Sequence, residues 1–129
     1  MANQFVVQLK NEPGAMATLA EALAARGVDL RAIGGGGIGD AGHVIMTTAD
    51  DDTTKAILDE GGYTYIEGES ILTEVDDRPG GMAALSRQLA DAGVNIYGHL
   101  FLGRWGDRAM FAFVVDDPER ARPILERKR

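Results

Sequence analysis

The chain has 129 residues, 45% of them hydrophobic and 26% charged, with 13 basic against 20 acidic side chains for a net charge of −7. That balance belongs to an ordinary folded protein and works against binding a phosphate backbone, which needs clustered Lys and Arg, so no nucleic-acid partner is expected. Zero cysteines removes disulfides, thiolate metal sites and a Cys nucleophile.

No apolar run approaches the roughly 20 residues of a membrane helix. Met1-Ala2-Asn3-Gln4-Phe5 lacks the charged start and apolar middle of a signal peptide. The expectation is a soluble, cytoplasmic protein with no membrane partner.

Along the chain, Phe5-Val6-Val7-Gln8-Leu9 predicts a short buried strand, ended by the turn signals of Lys10-Asn11-Glu12-Pro13-Gly14. Met16, Leu19 and Leu23 then recur at spacings of three and four, which predicts an amphipathic helix closing at Gly27, a residue suited to a left-handed terminus. Residues 28–33 alternate as a second strand and run into Gly34-Gly35-Gly36-Gly37, taken as a mobile hairpin tip. His43-Val44-Ile45-Met46-Thr47-Thr48 is the returning strand. Asp51 or Asp52 is placed to cap a second helix carrying Ile57 and Leu58, and Tyr63-Thr64-Tyr65-Ile66 predicts a fourth strand.

The pattern then starts again. Asn11-Glu12-Pro13-Gly14-Ala15-Met16-Ala17 returns as Asp77-Arg78-Pro79-Gly80-Gly81-Met82-Ala83, and Gly27-Val28-Asp29-Leu30 returns as Gly93-Val94-Asn95-Ile96, each 66 positions later (77 − 11 and 93 − 27). Asp50-Asp51 against Asp116-Asp117 extends the same offset and implies no gap. Two copies of one unit therefore fill the chain, residues 1–68 and 69–129. A unit of roughly 60 residues buries only about 60% of its unfolded surface, so the two are expected to pack together.

Each unit reads β-α-β-β-α-β, the ferredoxin-like arrangement of an antiparallel sheet with both helices on one face, an α+β fold. The second comprises strand 70–75, helix 82–92, strands 94–102 and 108–115, and a helix from Pro118 made short or kinked by Pro123. Its fourth strand is expected to be missing. Residues 63–67 complete unit one, unit two or an intermolecular sheet.

These residues carry a resemblance to the ACT domain, a small regulatory module that binds amino acids in enzymes of amino-acid metabolism. The matching signature is Asn/Asp-x-Pro-Gly-x-Met/Leu-Ala-x-Leu followed by Gly-Val-Asn/Asp-Ile/Leu, and both copies have both parts, over about residues 3–127. The resemblance implies a ligand between two modules, touching the first loop of one and the second strand of the other. The implied binding residues are Asn11, Glu12, Pro13, Gly14, Ala15 and Met16 with Asn95 and Ile96, and Asp77, Arg78, Pro79, Gly80, Gly81 and Met82 with Asp29 and Leu30.

The chemistry is consistent with that implication. A Pro-Gly junction leaves the first N–H groups of a helix open to a carboxylate, and Asn11, Asp29, Asp77 and Asn95 offer oxygens to an ammonium group. Asn11 and Asp77 are equally readable as helix caps, and the Pro-Gly pairs as turn chemistry. The Met16, Leu19, Leu23 stripe and its copy Met82, Leu85, Leu89 are core. Tyr97 and His99 share a strand face and either line a pocket or cap the sheet edge. Trp105 folds over its hairpin or meets another subunit.

No H-E-x-x-H, nucleophile-elbow or P-loop pattern is present, and Asp50-Asp51-Asp52 reads as a cap with dipole partners, not a metal site. The expected function is a non-catalytic sensor, a homodimer without cofactor or metal, binding a small amino acid and signalling to a regulated enzyme or other protein. A ligand-free interaction module is the alternative, and a ferredoxin-like enzyme using Tyr97, His99 and Arg104 a third. If one site is used, the loop at 77–82 is the expected one.

Overall fold

The computed structural model describes residues 3–127, and they fall into two compact units that divide between Gly68 and Glu69. Unit 1 runs β1 (Asn3–Lys10), α1 (Ala15–Ala25), β2 (Leu30–Ile38), β3 (Ala41–Thr48), α2 (Asp51–Glu60) and β4 (Tyr65–Glu69). Its sheet has the order β2-β3-β1-β4, so the strand left open by the sequence pairs with β1 and completes unit 1. Unit 2 contains β5 (Ile71–Asp76), α3 (Gly81–Asp91), β6 (Ile96–Trp105), β7 (Arg108–Val115) and α4 (Pro118–Leu125). Its sheet is β5-β7-β6, three strands among the described residues, one fewer than unit 1. The architecture is the expected α+β pair of ferredoxin-like units.

Alternation in β1 places Phe5 and Val7 opposite Met46 and Val44 of β3, and α1 closes over them with Leu19 and Leu23. All six are buried. Unit 2 repeats the core with Ile71, Val75, Leu85, Leu89 and Phe113. Each fully buried side chain of this size contributes about 1.5–3 kcal/mol, so the helical stripe is structural. Met16 and Met82 pack at its edge.

The Gly-Val half of the repeated motif terminates a helix. Gly27 takes φ +70, its N–H donates to the Ala24 carbonyl and the Val28 N–H donates to the Leu23 carbonyl, while Val28 is buried. Gly93 and Val94 do the same with Ala90 and Leu89. This 6→1 and 5→2 pattern is the Schellman closure, which explains the residue types without a ligand.

Three sequence expectations need correction. Gly34 to Gly37 are not a hairpin tip: they lie inside β2, opposite Ile45, Val44, His43 and Gly42, and the turn follows at Gly39 (φ +61). Pairing with β3 overrides their weak strand propensity, and two of them have no room for a side chain. A Cβ on Gly35 would stand 2.4 Å from the His43 carbonyl oxygen, and one on Gly37 2.5 Å from the Asn11 side chain.

Second, Asp50, not Asp51 or Asp52, caps α2, accepting from the Thr53 N–H at 3.0 Å and the Thr53 hydroxyl at 2.6 Å. Asp51 and Asp52 fall in the first turn.

Third, the offset of 66 does not hold throughout. Ile33 pairs with Met46 where His99 pairs with Phe113, so β7 is displaced by 67. The extra residue is Leu102, at the register shift between Phe101 and Gly103. One inserted residue in one strand of an antiparallel pair is a β-bulge. Beyond it Gly36, Gly37 and Ile38 correspond to Gly103, Arg104 and Trp105, and the cap Asp50 to the cap Asp117.

Candidate functional site

The β1–α1 junction is built by its Pro-Gly pair. Gly14 occupies the N-cap position of α1 at φ +91 and Gly80 that of α3 at φ +89, a conformation costly for any side chain. Neither helix start receives a side-chain cap, so the reading of Asn11 and Asp77 as caps is not met. Their side chains are engaged elsewhere. Asn11 Nδ2 donates to the Gly39 carbonyl at 2.9 Å, and Asp77 accepts from Arg104 Nε at 2.8 Å. Backbone bonds fix both loops to the hairpin turns, Asn11 N–H to the Asp40 carbonyl and Asp77 N–H to the Asp107 carbonyl.

Beside the start of α1 lies a cavity of about 350 Å³ whose walls include Leu9, Met16, Ile33 and Val44, with Gly34, Gly35, Gly36 and Gly42 as a side-chain-free floor. Asn11, Ala15, Lys10 and His43 complete it. An open groove of about 860 Å³, reaching Asp40 and Tyr63, shares Leu9, Lys10, Ala15, Gly42 and His43 with this cavity, so the two form one depression around the helix start. A volume near 350 Å³ is at the lower end of small-molecule sites.

Unit 2 builds the same place differently. Its cavity of about 330 Å³ is lined by Val75, Asp76, Asp77, Arg78, Pro79, Met82, Arg104, Ala109 and Phe111. Arg104 lies 4.8 Å over the Phe101 ring, and Phe101 meets Phe111 edge-on at 5.6 Å. Asp76 binds Arg108 at 2.5 Å and Arg78 at 3.2 Å. Three guanidinium groups thus answer two carboxylates around one loop.

The structure brings residues 11–16 together at one helix start and residues 77–82 at the other. Within each unit it does not bring the second half of the motif to them. Asp29-Leu30 and Asn95-Ile96 stand at the opposite end of β2 and β6, eight residues or about 26 Å away along the strand. There the Asp29 carbonyl accepts from Ala49, the Asn95 carbonyl from Asp116, and the Asn95 N–H donates to the Asp116 carboxylate. The residues missed by sequence reasoning are the glycine floor, Ile33 and Val44 in unit 1, while Arg104 of unit 2 is offered by the sequence only for the enzymatic alternative and not for the loop site. A strict register of the β2–β3 hairpin would have found them.

Tyr97 and His99 are exposed, His99 tilted 6.0 Å from the Phe113 ring, and neither lines a cavity described above. Trp105 is 66% exposed and lies against Gly103, where a Cβ would stand 3.1 Å from the ring. Among the described residues, no three His, Asp or Glu side chains are grouped to hold a metal, and no helix is long and apolar enough to cross a membrane.

Fold and loop geometry give a tandem of ferredoxin-like units, and solved structures share that fold over nearly the whole chain. Protein BT0572 from Bacteroides thetaiotaomicron superposes with a TM-score of 0.71 at 19% identity, over 97% of this chain and 86% of that one. The regulatory subunit of aspartate kinase from Thermus thermophilus, in its ligand-free form, gives 0.61 at 20% identity over 97% and 87%. The same subunit from Thermus flavus gives 0.64 at 18% identity over 98% and 92%. At these identities the likeness is one of fold. No protein-family model and no curated protein sequence matches the chain.

Proposed function

We propose that this protein is a non-catalytic regulatory module that binds a small amino acid at its motif loops, residues 11–16 and 77–82. The resemblance puts such a ligand between two modules, with Asp29, Leu30, Asn95 and Ile96 on the facing strands. One observation carries the reading: α1 starts at a glycine without a side-chain cap, beside an apolar cavity of about 350 Å³. The Ala15 N–H donates to the Glu12 carbonyl at 3.3 Å, the N–H groups that follow it at the helix start favour a carboxylate, and Asn11 Oδ1, which accepts no bond among the described residues, suits an ammonium group. Regulation then requires that the ligand favour one arrangement of the protein over another, to be read by a partner enzyme or other protein.

The cysteine-free composition supports a cytoplasmic setting. A homodimer is supported by β5, an edge strand in the three-stranded sheet with Leu72 exposed, since such edges are ordinarily covered or paired. That same edge is what favours the second reading, an interaction module without ligand.

The test is a thermal-shift panel of the twenty amino acids, followed by calorimetry. Ligand at a hundred times its dissociation constant stabilises by about 2.7 kcal/mol, several degrees for a chain of this size. Ala15→Glu discriminates further. A carboxylate in the first turn strengthens the helix yet competes for the N–H groups, so the variant is expected to stay folded and lose ligand. A flat panel for the wild-type chain leaves the interaction module.

A further inference from the structure

We infer that the two loop sites are unequal by construction: Arg104 occupies the ammonium acceptor of the unit 2 site, and only unit 1 takes ligand, an amino acid with an uncharged aliphatic side chain. This rests on the proposed function and reverses the preference for residues 77–82 drawn from sequence.

The argument is a comparison of equivalent positions within one chain. Once the Leu102 bulge is counted, Arg104 stands where unit 1 has Gly37, and Phe101 stands where it has Gly35. In unit 1 Gly35 forms part of the bare cavity floor, and the absence of a side chain at Gly37 lets Asn11 lie directly over it. In unit 2 a guanidinium occupies the acceptor, Asp77 Oδ2, that an incoming ammonium group needs. It is also stacked on Phe101, an attraction that an ammonium ligand would have to displace. Arg104 is therefore an internal substitute for the ligand's cation.

Side-chain selection follows from the unit 1 walls. Leu9, Met16, Ile33 and Val44 offer hydrocarbon surface, and the glycine floor adds no side-chain polar group. The charged and titratable groups lining the cavity are Lys10 and His43, both exposed. Lys10, beside the helix start, adds attraction for the ligand carboxylate. A second charge on the ligand would face hydrocarbon without a partner, which is costly.

Titration calorimetry with L-leucine, L-isoleucine, L-aspartate and L-lysine tests the inference, with the single tryptophan, Trp105, as an optical reporter next to Arg104. The wild-type chain is expected to bind one leucine or isoleucine per chain without a change in Trp105 fluorescence, and the charged amino acids at least about tenfold more weakly. Arg104→Ala, at a residue whose side chain is 63% exposed, is expected to raise the stoichiometry to two and make the fluorescence respond. Two sites in the wild type, one site in the variant, or tighter binding of aspartate or lysine overturns the inference while leaving amino-acid binding intact. No binding by the wild type of any of the twenty overturns the proposed function and this inference together.

Discussion

Asp77 and Arg104 form an ion pair at 2.8 Å in the place where unit 1 sets Asn11 over Gly37. The two pairs are alternative solutions to one geometric problem, the approach of the β1–α1 loop to the end of the hairpin. A small residue beneath leaves space for the amide, and a long cation beneath calls for a carboxylate.

The exchange makes a double-mutant cycle informative. Gly37→Arg alone should destabilise unit 1, because the first carbon of the new side chain meets Asn11 at 2.5 Å and displaces it from the Gly39 carbonyl. The lost hydrogen bond costs about 1 kcal/mol. Adding Asn11→Asp should recover part of that loss through a favourable coupling of up to about 1 kcal/mol, as for exposed ion pairs. Denaturant unfolding of the four proteins measures it. A coupling of zero would mean that the two units do not place these positions alike.

Gly14 and Gly80 allow a cleaner separation of backbone from packing. A Cβ at either would have no neighbour within 4 Å, so the penalty for Gly14→Ala or Gly80→Ala comes from positive φ alone, about 1–2 kcal/mol each. Gly36→Ala is the control, in open space with ordinary φ, and should be neutral or slightly stabilising. Equal losses at all three positions, read by denaturant unfolding, would remove φ as the reason for the Pro-Gly junction repeated in both halves.

Much of the fold was legible because it rests on local physics repeated twice. The stripe of Leu19 and Leu23, the helix-ending Gly27-Val28 and the alternation of Phe5 and Val7 each follow from side-chain period or backbone freedom, and each reappears in unit 2. The glycine run misled because its strand character comes from β3 rather than from its own residues. Leu102 was invisible for a related reason. Asp50-Asp51 and Asp116-Asp117 continue the motif offset by composition, so only the pairing of His99 with Phe113 reveals the inserted residue. The site depended on that register: until Arg104 is aligned with Gly37, the two loops look interchangeable.

The cap of α2 gives a pH-dependent prediction with a defined sign. The Thr53 hydroxyl, and after it the Thr53 N–H, donate to the Asp50 carboxylate and hold its pKa below the ordinary value of 3.8. A depressed folded-state pKa contributes stability that is fully present above the unfolded value and is lost as pH falls through the folded one. Unit 1 should therefore keep this contribution at neutral pH and lose it progressively below about pH 4, as the carboxylate protonates and ceases to accept both bonds. Thr53→Ala removes the larger of the two donors and leaves the backbone N–H in place. In that variant the Asp50 midpoint, followed by NMR of the side-chain carboxyl, should rise toward 3.8 without passing it. A wild-type midpoint at or above 3.8 would show that Thr53 does not stabilise the charged cap, and the acid sensitivity of unit 1 would then have to arise elsewhere.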